Sequence, residues 1–557
     1  AASRCALTLA VFLLAGTAAL DYPIDGDEAY YVLIAESLLL DRDADLANQY
    51  RNLEESVIGR MDLKPQPGDR RSAEGEERSR LEPFLSLLLV PGIAVAGLWG
   101  AMATIAIFGA FASCSIFQLL VESGVSRRIA DRVWPLIAFG PPLLFYSMRI
   151  WPEAPAALCF SEAIRCAGKR RFGRMGLWLA ALSLLKLRFV VIAIPFAVIV
   201  LWKEWKGRRG ARVTTLAAGT LVAFVLAAIA IGGPSALGRL GELAPRPLSG
   251  YLSGFFGLLL DAQAGLLFQA PLWFAGLLAL IGSRRMRGAI AWAAAASIPY
   301  LILLIPRSEW HGGWSPPLRY LVVFAPLFAF AAARAFEEFR SWRVPLALGT
   351  IAVAIHGVAF PWRLFQIANG EAVMGERLSS IFGSDFSRLL PSAIRLNGAM
   401  ILAAIVLGVI VIWRLVRRRA AWRVSFRERG AIVAMSLALV ISMAVAIGMR
   451  PGSVVHLEDA HVRHEGGDLA PHIWTVARFL HTGGWTLEAG ESVRFRMRPG
   501  AAVIYASSGP GAEVEIGTRR VSIPAGDGTA SPVIIDDSDV RIRVVAGSVT
   551  LDRIEHE

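Results

Sequence analysis

The chain reads as a polytopic α-helical membrane protein of about thirteen transmembrane helices with a small C-terminal all-β sandwich domain. Three observations predict this class. Of the 557 residues 55% are hydrophobic, and the mean hydropathy is +0.52, too apolar for a soluble chain of this length. Apolar stretches long enough to cross a bilayer recur up to about residue 449. From about Pro451 the sequence turns polar, Gly-rich and alternating, which is the pattern of short antiparallel strands. The expected division is a transmembrane domain of residues 1–449 and an extracytoplasmic β-sandwich of residues 450–557.

Residues 5–20 form the first expected span. A signal peptide ending near Ala18-Ala19 is the competing reading, and the polytopic pattern that follows favours the span. Residues 21–99 then form a long outer loop, polar over 61–80. Within that loop 83–97 is apolar but short and carries Pro91-Gly92, so it reads as a re-entrant or interfacial helix. Further spans are expected at 100–121, 133–148, 154–167, 175–187, 189–202, 213–231, 265–282, 288–305, 319–334, 344–360, 396–413 and 431–448. In the last hundred residues the runs 492–498, 513–516, 520–523 and 540–545 alternate with period two between Gly and Pro turns. That region reads as a structural cap in preference to a carbohydrate-binding module, for which Trp474 and Trp485 would be the stacking surfaces. Its histidines, His456, His461, His464, His472 and His481, match no zinc spacing.

The formal charge of +12 is a matter of topology. Basic residues gather in short connectors: Arg127-Arg128, Lys169-Arg170-Arg171, Lys203 to Arg209, Arg284-Arg285 and Arg417-Arg418-Arg419. These are the connectors that the positive-inside rule keeps in the cytoplasm, so no nucleic acid is expected as a partner. The four cysteines lie in or beside apolar segments without CxxC spacing, against a disulfide framework or a zinc site. No internal repeat of the paired-half kind occurs.

With the N-terminus inside, every one of those connectors is cytoplasmic, and Asp27, Glu28, Glu153, Lys186, Arg188, His311 and Arg319 fall on the opposite face. Each has a structural explanation of its own. Asp27-Glu28 suits an acidic first helical turn, and Glu153 follows Pro152 at a helix start. Lys186 and Arg188 could snorkel, and the run Glu309 to Tyr320 could be an interfacial aromatic belt. Together they would be four independent accidents on one face. A site is the better account, because charges at one membrane depth generally mark function. Acids there can deprotonate an acceptor hydroxyl or amine, while Lys186 and Arg188 can hold a phosphate as leaving group. Asp27, Glu28, Glu153 and His311 also offer donors to a divalent cation, though no short ligand spacing accompanies them.

The order Asp27-Glu28, Arg149-Ile-Trp-Pro-Glu153, Lys186 and then Trp310-His-Gly-Gly-Trp-Ser-Pro-Pro-Leu-Arg-Tyr320 resembles the GT-C superfamily of polytopic glycosyltransferases. The likeness is to the branch of protein O-mannosyltransferases and aminoarabinose transferases. It covers roughly residues 1–450 in topology, with the specific motifs confined to short pieces. What the resemblance implies is inverting transfer of a sugar from a polyprenyl-phosphate donor to a lipid, glycan or protein acceptor at the outer membrane boundary. In that scheme Asp27 is the general base, Glu28 and Glu153 position the reactants, and Lys186 and Arg188 take the lipid phosphate. Tyr30, Arg149, His311, Trp314, Arg319 and Tyr320 are the candidate substrate contacts. The chain departs from the pattern in carrying Glu153 where many members have Asp, in its polar first loop, and in its β domain. A transporter or flippase of lipid-linked saccharide is the competing class, and it would be expected to show paired halves or broken midplane helices.

Overall fold

A computed structural model of the chain describes residues 2–18, 24, 26–58, 63–66, 69–71, 75–205, 248–281, 286–307, 309–359, 364, 372, 389–394 and 397–419, with 454–456, 463–465, 468–469, 473–474, 481–482, 485–496, 500–537 and 539–556. The chain divides into two compact units, residues 1–259 with 265–361 and residues 260–264 with 362–557. The expected division near 450 falls outside the described residues, as do the expected spans 213–231 and 431–448.

The first unit is helical. Its elements run α1 (Ala2–Ala18), α2 (Asp27–Leu40), α3 (Ala47–Arg51), α4 (Phe84–Glu122), α5 (Arg127–Ala138), α6 (Leu143–Ser147), α7 (Glu153–Gly168), α8 (Phe172–Leu185) and α9 (Val190–Trp205). Helices Leu248–Leu260, Pro271–Leu280, Gly288–Leu304, Ala325–Glu338 and Arg343–Ala359 follow. By length and composition, four helices among the described residues can cross a membrane: Phe84–Glu122, Arg319–Glu338, Arg340–Ala359 and Gly398–Leu415. Apolar side chains stand exposed at helical spacing on several faces, as at Ile194, Val198 and Trp202 of α9 and at Val344, Leu348, Ile351 and Ile355. Such rows suit contact with lipid. By contrast α7 is buried along most of its length, Glu162 and Arg165 being the half-buried exceptions between Glu153 and Ala167, as befits a helix at the centre of its unit.

Several expected segments are corrected. Residues 133–148 do not form one span, because α5 ends at Ala138 and α6 begins after Pro141-Pro142. Residues 265–282 break at Ala270, with φ −148° and ψ 68°. Helix Leu248–Leu260 was not foreseen. The segment 83–97 does form a broken helix, but the break is at Ala96-Gly97, where Gly97 takes φ 54°, and not at Pro91-Gly92. Beyond the break the two halves of α4 meet backbone to backbone. A Cβ on Gly100 would lie 1.8 Å from the carbonyl oxygen of Gly92, so only glycine fits there. In the outer loop a two-stranded ribbon, β1 (Arg70–Arg71) with β2 (Glu77–Arg78), lies within the polar stretch.

The second unit holds helix Gly398–Arg419 and the remaining strands, among them the short pair β6 (Ile473–Trp474) and β7 (His481–Thr482). β3 (Val454–His456), β5 (Asp468–Leu469), β8 (Trp485–Glu488), β10 (Gly500–Ser508), β13 (Gly526–Ile535) and β15 (Ser548–His556) build one antiparallel sheet, in the order β13-β10-β15-β8-β5 with β3 also on β15. β4 (Arg463–Glu465), β9 (Ser492–Arg496), β11 (Ala512–Ile516), β12 (Arg519–Ile523) and β14 (Asp539–Ala546) build the other, in the order β12-β11-β14-β9-β4. The inward residues of both sheets, among them Leu487, Phe495, Ile504, Val514, Ile542 and Leu551, share one core.

Candidate active site

The first turn of α2 supplies two carboxylates. Gly26 caps the helix at φ 57°, and a Cβ there would lie 2.9 Å from the carbonyl oxygen of Trp314. This close approach brings the 309–320 loop against the start of α2. Glu28 points inward and is fully buried. Its carboxylate takes Arg149 at 3.1 and 3.0 Å from Nε and 2.5 Å from Nη2, and the backbone N–H of Ile150 at 2.7 Å. A carboxylate and guanidinium sealed together in this way form a bidentate clamp. It fastens α2 to the turn before α7.

Asp27 faces a different set. Arg319 donates to its Oδ2, and the Lys186 ammonium lies 3.7 Å away. Burial pushes the Asp27 carboxyl up, but the charges of Arg319 and Lys186 outweigh it and hold the group well below the usual carboxylate range. Arg319 also donates from Nε to Glu153 at 3.1 Å and lies over the Trp151 ring at 4.2 Å. Glu153 is fully buried. Its Oε1 takes both Arg319 and Arg188, while its Oε2 has no hydrogen-bond partner.

Lys186 follows the last residue of α8 in an extended conformation, φ −155°. Its ammonium is buried, 7% exposed, yet the two acids nearest it are Asp27 at 3.7 Å and Glu82 at 3.8 Å, both beyond hydrogen-bond length. Arg188, two residues on, sits over the ring of Tyr320 at 4.8 Å. Three cations and the acids Asp27, Glu82 and Glu153 therefore meet within one cluster. It is drawn from α2, Glu82 two residues before α4, the start of α7, the end of α8 with the turn that follows it, and the 3₁₀ turn Arg319–Phe324.

The structure thus gathers Asp27, Glu153, Lys186, Arg188, Arg319 and Tyr320, with Glu28 and Arg149 joined as a clamp beside them. Tyr30 turns away, its hydroxyl donating to the Lys64 carbonyl at 2.7 Å. Its neighbour Tyr31 is the buried one, with the Lys186 ammonium 5.5 Å from its ring. Trp314 packs on Gly26. His311 is fixed in the loop by accepting at Nδ1 from the Gly313 N–H at 3.2 Å, and burial lowers its imidazole from the ordinary value against the pull of Glu309. Glu82 was not foreseen; its Oε1 accepts from the Leu187 N–H at 3.2 Å. Its only signal in the sequence is an acid directly before Pro83 at a helix start. Among the described residues no group of three or more His, Cys, Asp and Glu is placed to hold a metal ion. Of the cysteines, Cys114, Cys159 and Cys166 are buried and Cys5 is half-buried.

No family model matches the chain, and no curated protein matches it. Solved structures do. An ArnT from Cupriavidus metallidurans bound to undecaprenyl phosphate is similar at a TM-score of 0.41 and 15% identity, covering 79% of this chain and 76% of that one. The arabinosyltransferase EmbB from Mycobacterium smegmatis is similar at 0.37 and 11% identity, over 99% of this chain and 64% of that one. An oligosaccharyltransferase from Archaeoglobus fulgidus is similar at 0.36 and 15% identity, over 63% of this chain and 53% of that one.

Proposed function

We propose that the chain is a membrane glycosyltransferase that moves a sugar from a polyprenyl-phosphate donor to an acceptor on the extracytoplasmic face, with inversion. On this reading residues 1–449 carry the reaction and 450–557 form an outer cap. One observation carries it. Lys186 presents a buried ammonium whose nearest acids stand at 3.7 and 3.8 Å, so its donors are open to a ligand oxygen. Arg188 and Arg319 lie beside it, each already paired with an acid, so Lys186 is the cation with donors to spare. A phosphate bridging anomeric carbon and lipid tail suits that ammonium, which favours the charge that grows on it as it departs.

The step balances as follows. The acceptor hydroxyl or amine attacks the anomeric carbon from the face opposite the phosphate and gives its proton to the Asp27 carboxylate. The bond from anomeric carbon to phosphate oxygen breaks, and its electron pair leaves with the polyprenyl phosphate. Asp27 is the best placed of the three acids for the base, because it retains 14% side-chain exposure, whereas Glu28 and Glu153 have none. Asp27→Asn keeps the shape and cannot take the proton, so turnover with a polyprenyl-phosphate sugar in detergent should fall on the order of a hundredfold to ten-thousandfold. Donor binding, measured alongside, should persist in Asp27→Asn and weaken in Lys186→Ala. Retained turnover in Asp27→Asn would move the base to Glu28 or Glu153, and retained turnover at all three positions would end the glycosyltransferase reading.

A further inference from the structure

A second cationic site lies at the other end of α7. This helix runs 16 residues from Glu153 in the cluster above to Gly168, about 24 Å along its axis. Where it gives way to α8 there is a cleft of about 330 Å³ lined by Glu162, Arg165, Cys166, Lys169, Arg171, Arg174 and Trp178. The acids there are already engaged. Glu162 accepts from Arg165, and Glu122 takes Arg165 at 2.8 Å and Lys169 at 2.7 Å. Arg171 and Arg174 are left over: both are exposed, and neither has an acidic partner among the described residues. Two carboxylates thus face four cations, and the cleft keeps a net positive charge.

The backbone adds to this. Arg171 occupies the N-cap position of α8 and makes no side-chain cap, since a guanidinium has no acceptor to offer. No N-cap side chain competes with an anion for the first N–H groups of α8, and the helix dipole lies behind them. Beside the cations stands an apolar flank: Trp178 is half-buried and Leu177 is 56% exposed. Charge, uncapped N–H groups and exposed apolar surface meet at the end of an apolar helix, where a lipid headgroup joins its acyl chains.

We propose that this cleft binds the phosphate headgroup of an anionic phospholipid, which anchors the α7–α8 turn at the membrane surface. Arg171 and Arg174 supply the charge and Trp178 packs at headgroup depth. The proposal is independent of the reaction assigned to the other end of α7.

The test uses the purified full chain in nanodiscs of phosphatidylcholine with or without phosphatidylglycerol. Native mass spectrometry counts retained phosphatidylglycerol, and thermal unfolding follows its effect on stability. A basic side chain near an anionic surface contributes about fivefold in affinity, so Arg171→Ala with Arg174→Ala should weaken retention roughly twentyfold to thirtyfold and abolish stabilisation by phosphatidylglycerol. Arg171→Lys with Arg174→Lys should keep most of both. If the alanine pair does not fold, the unmodified chain decides, because its retention should fall steeply between 50 mM and 500 mM salt on the order expected from Debye screening. Equal retention by the native and alanine forms, or retention indifferent to salt, overturns the site. Displacement of the lipid by millimolar inorganic phosphate would assign the cleft to a soluble anion and overturn the lipid reading.

Discussion

A helix turns by roughly 100° per residue, so Asp27 and Glu28 leave the same turn of α2 in different directions. Glu28 closes on Arg149 with no exposure on either side chain, and Asp27 opens toward the cation cluster. The two acids should therefore fail differently. Glu28→Gln leaves the Arg149 guanidinium buried without its counter-charge, which typically costs about 3–5 kcal/mol. The expected result is a large loss of thermal stability in detergent, eased when Arg149→Met is added. Full stability with abolished turnover would instead give Glu28 a chemical role. His311 carries a pH signature. Its folded value is lowered by burial from 6.5, so the unfolded chain binds more protons as pH falls below that value. Stability should then decline through and below pH 6.5, and His311→Gln should flatten that part of the profile. An unchanged profile would remove His311 from the account. At this scale the charged residues were legible because charge inside apolar sequence is conspicuous. Which of Tyr30 and Tyr31 faces inward was not, since that depends on helix phase, and Glu82 was hidden by the polar run before it.

Elements were legible where one physical signal dominates. Period-two alternation located β9, β11, β12 and β14, whose outward and inward residues alternate as on β14, where Val540, Ile542 and Val544 are buried. β10, β13 and β15 are longer, but small residues and Gly blur their alternation. Helix breaks were harder. Pro91 lies inside α4 without breaking it, while Gly97 breaks it because glycine alone takes φ 54° without strain. The consequence is the close contact of Gly92 and Gly100. Gly100→Ala would place a Cβ 1.8 Å from a backbone oxygen, which no rotamer relieves. It should abolish folded expression or lower the unfolding temperature sharply. Gly173→Ala, with nothing within 4 Å of the added Cβ and an ordinary helical position, should be neutral or gain up to about 1 kcal/mol. Equal behaviour of the two variants in size-exclusion and thermal assays would mean that the halves of α4 do not pack in this way.

For the whole molecule the open matter is sidedness, because the cluster and the cationic cleft occupy opposite ends of α7. Basic connectors resist translocation, so the end bearing Lys169, Arg170 and Arg171 is expected in the cytoplasm, and the end bearing Glu153 outside. The cysteines at 5, 114, 159 and 166 can be replaced first. Exposed positions then report each face: Glu309→Cys in the loop beside the cluster, and Arg128→Cys at the start of α5. In intact cells a membrane-impermeant maleimide should label Glu309→Cys, and it should label Arg128→Cys only after the membrane is opened. The reversed pattern would put the cluster in the cytoplasm, where an extracytoplasmic acceptor could not reach it. The proposed transfer would then have to be abandoned even if every side chain lay where the structure places it.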